Sequence, residues 1–199
     1  MRYEVAHLDE LERIPVDQGL EWRPIRRRFG IAAFGVNAYT AEKPGDCVVE
    51  EHTETQNQHE ELYVVVRGRA RFTLAGEEID APAGTLVFLS DPSVRRGAVA
   101  EEADTVVLAV GAKPGEAFTP SGWEWSFAAA AQPPEQAIAT MLEGIEALGE
   151  SAPGLYHLAR AESRAGRIED ARAHLARSLE LEPSYRPHAE QDPDLKGLM

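Results

Sequence analysis

The sequence predicts a mainly β fold with an all-α segment after it: a strand-built barrel or sandwich over residues 1–120, then a short helical array over residues 121–199. Two observations carry this. Between Phe29 and Ala112 the apolar residues come in short β-branched runs bounded by Gly, Pro, Asp or Asn. Beyond the Pro133-Pro134 break their spacing becomes helical.

The first residues, MRYEVAHLDELERIP, carry charge throughout and read as an N-terminal extension without the apolar stretch of a signal peptide. A basic cluster follows, Arg23 with Arg26, Arg27 and Arg28. It is read as a solvated strand edge, with an anion-binding patch as the alternative. The strand candidates are IAAFGVNAYTA, CVVEEHTE, LYVVVRGRARFTLA, EEIDAPA, TLVFLS and TVVLAVGA. Short strands at close, even spacing must close on themselves or stack to hide their edges. No helix of useful length fits among them.

In the second half, Ala137, Met141, Gly144 and Ile145 recur thirty-four residues later as Ala171, Leu175, Ser178 and Leu179. Small and large positions therefore repeat in register. The stretch from Ala152 to Pro183 resembles a tetratricopeptide repeat: Leu155, Leu158 and Ala159 on a first helix, a turn at Ala165-Gly166-Arg167, then Ala171, Leu175, Ser178 and a closing Pro183. Glu162 stands where that pattern has a large aromatic, which weakens packing between the two helices. About three such repeats are needed for a stable stack, so the helices are expected to lean on the barrel or on another subunit through Trp123, Trp125 and Phe127. Such an array presents a groove for peptides, caps the barrel or builds a dimer interface. His157, His174 and His188 lie outside the repeat's core positions and read as surface residues.

Composition excludes some partners. At 43% hydrophobic and 27% charged residues the chain is an ordinary globular one, but its net charge of −14 repels phosphate backbones and anionic lipid. Neither nucleic acid nor membrane is expected, no apolar run approaches the roughly 20 residues of a span, and the expected location is the cytoplasm. The lone cysteine, Cys47, makes no internal disulfide, and by strand alternation it points away from the face of His52 as buried filler.

The stretch HTETQNQHEELYVVVRG, residues 52–68, holds the candidate chemistry. His52 and Glu54 are two apart on a strand and share a face. A hairpin brings them beside His59 and Glu61 at the start of the next strand. Imidazole and carboxylate in that mixture suit iron, manganese, zinc or nickel. A polar loop leading into a strand is the plain alternative.

These residues also resemble the cupin superfamily. The resemblance rests on Gly45, His52, Glu61 and Gly68, a Pro82-Ala83-Gly84 turn and the stretch TLVFLSDPSVRRG, over about half the chain. It implies a double-stranded β-helix, or jelly roll, whose members include metal-dependent dioxygenases and isomerases as well as binding proteins. Cupin followed by helical repeat is similar to a group of small bacterial cupin proteins. The resemblance places a metal-ligand histidine on His52 and the ligand glutamate on Glu61. Its second histidine falls on Glu54, with His59 able to reach back, and its last falls on Arg96, or on Arg95 if the register slips by one.

A guanidinium about 4 Å from a dication is repelled by roughly 8 kcal/mol at an effective dielectric of about 20. If Arg96 points inward it therefore opposes a metal and bonds Glu61 or Glu54 instead. If it points outward, a site of His52, Glu61 and either His59 or Glu54 for one divalent transition metal stands open. Two functions follow, beside a third in which the barrel merely scaffolds the helical repeat of an interaction protein. The first is a small-molecule-binding barrel, with Arg96, Tyr63 and Glu54 as ligand-binding candidates, coupled to helices that dimerise or hold a protein partner. The second is a metal-dependent dioxygenase or isomerase using His52, His59 and Glu61. Tyr63 reads first as a core aromatic, and a homodimer is implied by the resemblance.

Overall fold

The computed structural model describes residues 4–198. The chain divides into two compact units, Met1–Thr119 and Pro120–Met199.

The first unit is two antiparallel sheets. One is built from β1 (Ile14–Pro15), β2 (Leu20–Arg23), β3 (Gly35–Ala41), β10 (Thr105–Ala112), β5 (Glu60–Arg67) and β8 (Leu86–Leu89), in that spatial order. The other runs β4 (Cys47–His52), β9 (Arg96–Ala100), β6 (Arg69–Leu74) and β7 (Glu77–Pro82). Alternate residues face inward, so Tyr63, Val65, Val87, Leu89 and Val107 of the larger sheet share one core with Val48, Phe72, Ala98 and Ala100 of the smaller. Gly68 makes the β5–β6 turn at φ 71°, and a Cβ there would lie 2.5 Å from Thr105 Oγ1. Only glycine fits that turn.

The strand candidates all form, with differences. β9 went unread because Arg95-Arg96-Gly97 carries no strand pattern, and β1 and β2 extend the larger sheet from what read as an extension. β4 does not alternate strictly. Its register against β9 shifts twice, so Cys47, Val48 and Val49 are consecutively buried while His52 still pairs with Arg96. Burial pushes the Cys47 thiol up to about 11, which leaves it inert.

The arginine cluster is not a solvated strand edge. Arg23 is fully buried at the end of β2, with Nε donating to Thr40 Oγ1 at 2.8 Å and Nη1 to the Leu8 carbonyl at 2.7 Å. Arg26, on the short helix α1 (Ile25–Phe29), is buried as well. The extension supplies the missing acceptors, with Asp9 3.7 Å from Arg23 and 3.0 Å from Arg67.

The second unit is helical: α2 (Trp123–Ala130), α3 (Pro134–Leu148), α4 (Ala152–Arg164), α5 (Ile168–Leu181) and α6 (Arg186–Gln191). The Ser151 hydroxyl caps α4. Gly166 at φ 78° turns the chain into α5, and the Ser178 hydroxyl returns to the Ala152 carbonyl at 2.8 Å, which fixes the two helices antiparallel. The repeated small positions have a packing purpose. A Cβ on Gly144 would come within 2.7 Å of the Trp125 ring, and Trp125 packs with Ile138, Met141 and Leu158. The Trp125 ring thus lies in the helical unit's own core.

The histidines need correction too. His188 is exposed, but His157 is half-buried beside Tyr156, and His174 Nδ1 lies 2.8 Å from the buried Glu162. Glu162 therefore occupies its unusual position by pairing across α4 and α5. Among the described residues, no helix is long and apolar enough to cross a membrane.

Candidate functional site

Antiparallel pairing sets His52, at the end of β4, directly opposite Arg96 at the start of β9, so both side chains share one face of the smaller sheet. Glu61 and Tyr63 are two apart on β5 of the larger sheet and point toward them. The loop after β4 is tied down where the Glu54 amide donates to the Pro92 carbonyl at 2.9 Å. That bond brings the Glu54 carboxylate under His52.

The result is an alternating chain of charges. Arg96 Nε lies 3.3 Å from Glu61 Oε2, an oxygen that also accepts the Tyr63 hydroxyl at 2.7 Å and stands 3.8 Å from His52 Nε2. His52 Nε2 is 3.5 Å from Glu54 Oε1, and the other Glu54 oxygen accepts from Asn57 Nδ2 at 2.9 Å and lies 3.4 Å from His59 Nδ1. His52 Nδ1 meets the Glu50 carbonyl at 2.7 Å. Arg96 is fully buried, while the His52 side chain keeps 34% exposure and is the group most open to an incoming molecule.

Electrostatics follow from this order. Burial pulls the His52 pKa down, but the hydrogen bond and charge of Glu61, the Glu50 carbonyl and the charge of Glu54 outweigh it, and the net shift is upward. For Glu61, burial pushes upward and is outweighed by hydrogen bonds from His52 and Tyr63 and by the charge of Arg96, so its carboxyl is held below the usual range. Tyr63 is raised well above its ordinary value, first by burial and then by the adjacent Glu61. Two carboxylates against one guanidinium leave the cluster one positive charge short of neutral, which is why the His52 pKa moves upward.

The sequence candidates converge. His52, Glu54 and Glu61 each offer a ligand atom, all within 4.8 Å of one another, which is the spacing a metal ion needs. His59 stands one step out and joins through Glu54. Tyr63 is both a core residue, 2% exposed, and a donor to the site. Arg96 points inward. Its guanidinium pairs by charge with the Glu61 oxygen a dication would take, and neither Arg96 Nε nor Nη2 has a hydrogen-bond partner among the described residues. As the cluster stands, the donor spacing suits a metal and the guanidinium does not.

Sequence reasoning missed two participants. Asn57 was legible in principle as a polar residue inside the motif. Phe118, whose ring centroid lies 6.0 Å from that of His59, gave no local signal because it arrives from beyond β10.

No protein-family model and no curated protein matches the chain. Solved structures do. KdgF from Halomonas sp. is 19% identical with a TM-score of 0.44, covering 52% of this chain and 88% of that one. An RmlC-like cupin from Shewanella frigidimarina is 15% identical at TM-score 0.42, covering 57% and 94%. The structural neighbours of this chain include cupin and RmlC-like proteins. A sugar phosphate isomerase from a cupin superfamily, from Silicibacter pomeroyi, is 17% identical at TM-score 0.46, covering 55% of this chain and 76% of that one.

Proposed function

We propose that the barrel is a recognition module: it binds a small polar molecule at the His52–Glu54–His59–Glu61–Arg96 cluster and uses Arg96 in place of a metal ion. One observation carries this reading, the fully buried guanidinium 3.3 Å from Glu61 Oε2. The ion pair with the buried guanidinium fixes Glu61, and Tyr63 holds the same oxygen, so the carboxylate is preorganised without a metal ion. His52, the more open group, donates to an incoming acceptor, while Glu54 accepts from the ligand's hydroxyl or amine. The helical unit, a tetratricopeptide-like segment in this reading, supplies a protein-partner surface or the interface of a homodimer in the cytoplasm.

A second reading is favoured by the spacing of His52, Glu54 and Glu61. It is a metal-dependent enzyme of dioxygenase or isomerase type, holding iron, manganese, zinc or nickel. Metal analysis of protein purified without chelator separates the two. The recognition module is metal-free as purified, and a polar ligand at about a hundred times its Kd adds about 2.7 kcal/mol of stability in a thermal-shift screen. Stoichiometric metal that disappears in His52→Ala would replace the first reading with the second.

A further inference from the structure

The segment after α6, Asp192–Leu198, sits on α4 through few contacts that are chemically specific. The Tyr156 hydroxyl donates to Asp192 Oδ2 at 2.8 Å, and Arg160 Nε lies 2.8 Å from the same oxygen. Arg160 Nη2 stands 3.6 Å from Asp194, and the Ser163 hydroxyl donates to the Asp194 carbonyl. Leu195, fully buried, fills a depression lined by Tyr156, Ala159 and Leu175. Asp192 is almost wholly covered, its side chain 9% exposed.

The backbone of this segment bonds mainly to itself. Leu195 and Lys196 amides donate to the Asp192 carbonyl at 3.1 and 3.0 Å, the Asp194 amide to Asp192 Oδ1 at 2.9 Å, and the Leu198 amide to the Leu195 carbonyl at 2.9 Å. A turn that closes its own hydrogen bonds is a local property of its sequence. A separate peptide with the same residues carries the same shape. The receiving surface, for its part, presents an arginine and a tyrosine hydroxyl on α4 beside an apolar hollow shared with α5, the elements that recognise a carboxylate three residues before a leucine.

We propose that this face of α4 is a docking site for acidic peptide segments of the form Asp-x-Asp-Leu, and that residues 192–198 occupy it in cis. The segment shields the site until a partner of the same chemistry displaces it. Tyr156 and Arg160 read the acidic residues, Ser163 holds the peptide backbone, and the hollow at Ala159 and Leu175 reads the leucine. The site is independent of the barrel cluster.

The test uses the full chain and a fluorescent peptide of residues 186–198. In the double variant Asp192→Asn with Leu195→Ala, the segment is released, and the labelled peptide binds saturably at least about tenfold more tightly than to the unaltered chain. That factor is the scale of one charge-assisted contact. Adding Arg160→Gln removes the gain, as does a peptide with asparagine at both acidic positions. Hydrogen exchange on the unaltered chain shows the amides of 192–198 opening ahead of those of α4 and α5. The proposal is overturned if the variant keeps its helices by circular dichroism yet binds no peptide, or if both chains bind it equally. Loss of the helices in the variant, or exchange of 192–198 only with global unfolding, shows a segment integral to the core and overturns it too.

Discussion

At the scale of single residues, one side chain decides how the site is read. Arg96 is buried against Glu61, so replacing it with Met leaves a mostly covered carboxylate whose hydrogen-bond donor is Tyr63, with His52 3.8 Å away. Breaking such a pair costs about 3–5 kcal/mol. Urea unfolding of Arg96→Met, Glu61→Gln and the double variant is expected to show strong coupling, the double variant being less destabilised than the sum of the singles. Tyr63→Phe keeps the ring and loses only the donor, so its expected cost is about 1–2 kcal/mol in the same assay. Arg96→His is the informative change in the opposite sense. It removes the opposing charge and adds an imidazole opposite His52, and the variant is expected to take up one divalent zinc or nickel per chain in equilibrium dialysis where the unaltered chain takes up none. Metal uptake by the unaltered chain at equal affinity would contradict the role given to the guanidinium.

At the scale of elements, the helical unit makes two demands that ordinary propensity does not. Gly144→Ala is normally worth up to about 1 kcal/mol in a helix interior. Here the new methyl meets the Trp125 ring at 2.7 Å, so the substitution is expected to lower the melting temperature by overpacking α2 against α3. The second demand is a histidine. Burial lowers His157 to about 4, with Arg160 adding to the effect and Asp192 opposing it. The neutral ring is the folded form, so below its unfolded value of about 6.5 the unfolded chain binds a proton that the folded chain refuses. Stability contributed by the neutral ring is therefore present above pH 6.5 and is lost as pH falls toward 4. A loss of about 1–3 kcal/mol is expected across that window, after allowing for the ring's partial exposure. His157→Gln should flatten this slope in thermal melts between pH 7 and pH 4; an unchanged slope would assign it to other groups.

At the scale of the whole molecule, each unit has its own apolar core, and the helical one depends on α2. A fragment beginning at Gln132 lacks Trp125 and is expected to melt without a cooperative transition by circular dichroism. One that unfolds sharply as a monomer would show that the remaining helices suffice. Much of this architecture was legible because local periodicity and local burial agree in most strands and in α3, α4 and α5. The reading failed where long-range contacts override local character. Arg23 reads as a solvent-facing charge and is buried only because Leu8, Asp9 and Thr40 converge on it from other parts of the chain. Glu162 breaks its pattern because His174, on the facing helix, satisfies it.

The sequence by itself determined the two periods, the turn between α4 and α5 and the set of residues from which the polar site is drawn, since each of these depends on neighbours along the chain. Only the tertiary structure decided where the Arg96 guanidinium lies. That outcome depends on two bulges in β4, on the pairing of His52 with a residue forty-four positions away, and on the approach of Glu61 from the other sheet. A side chain able to face either water or a carboxylate takes the direction in which its charge is compensated, and no local pattern records which acceptor the fold will bring.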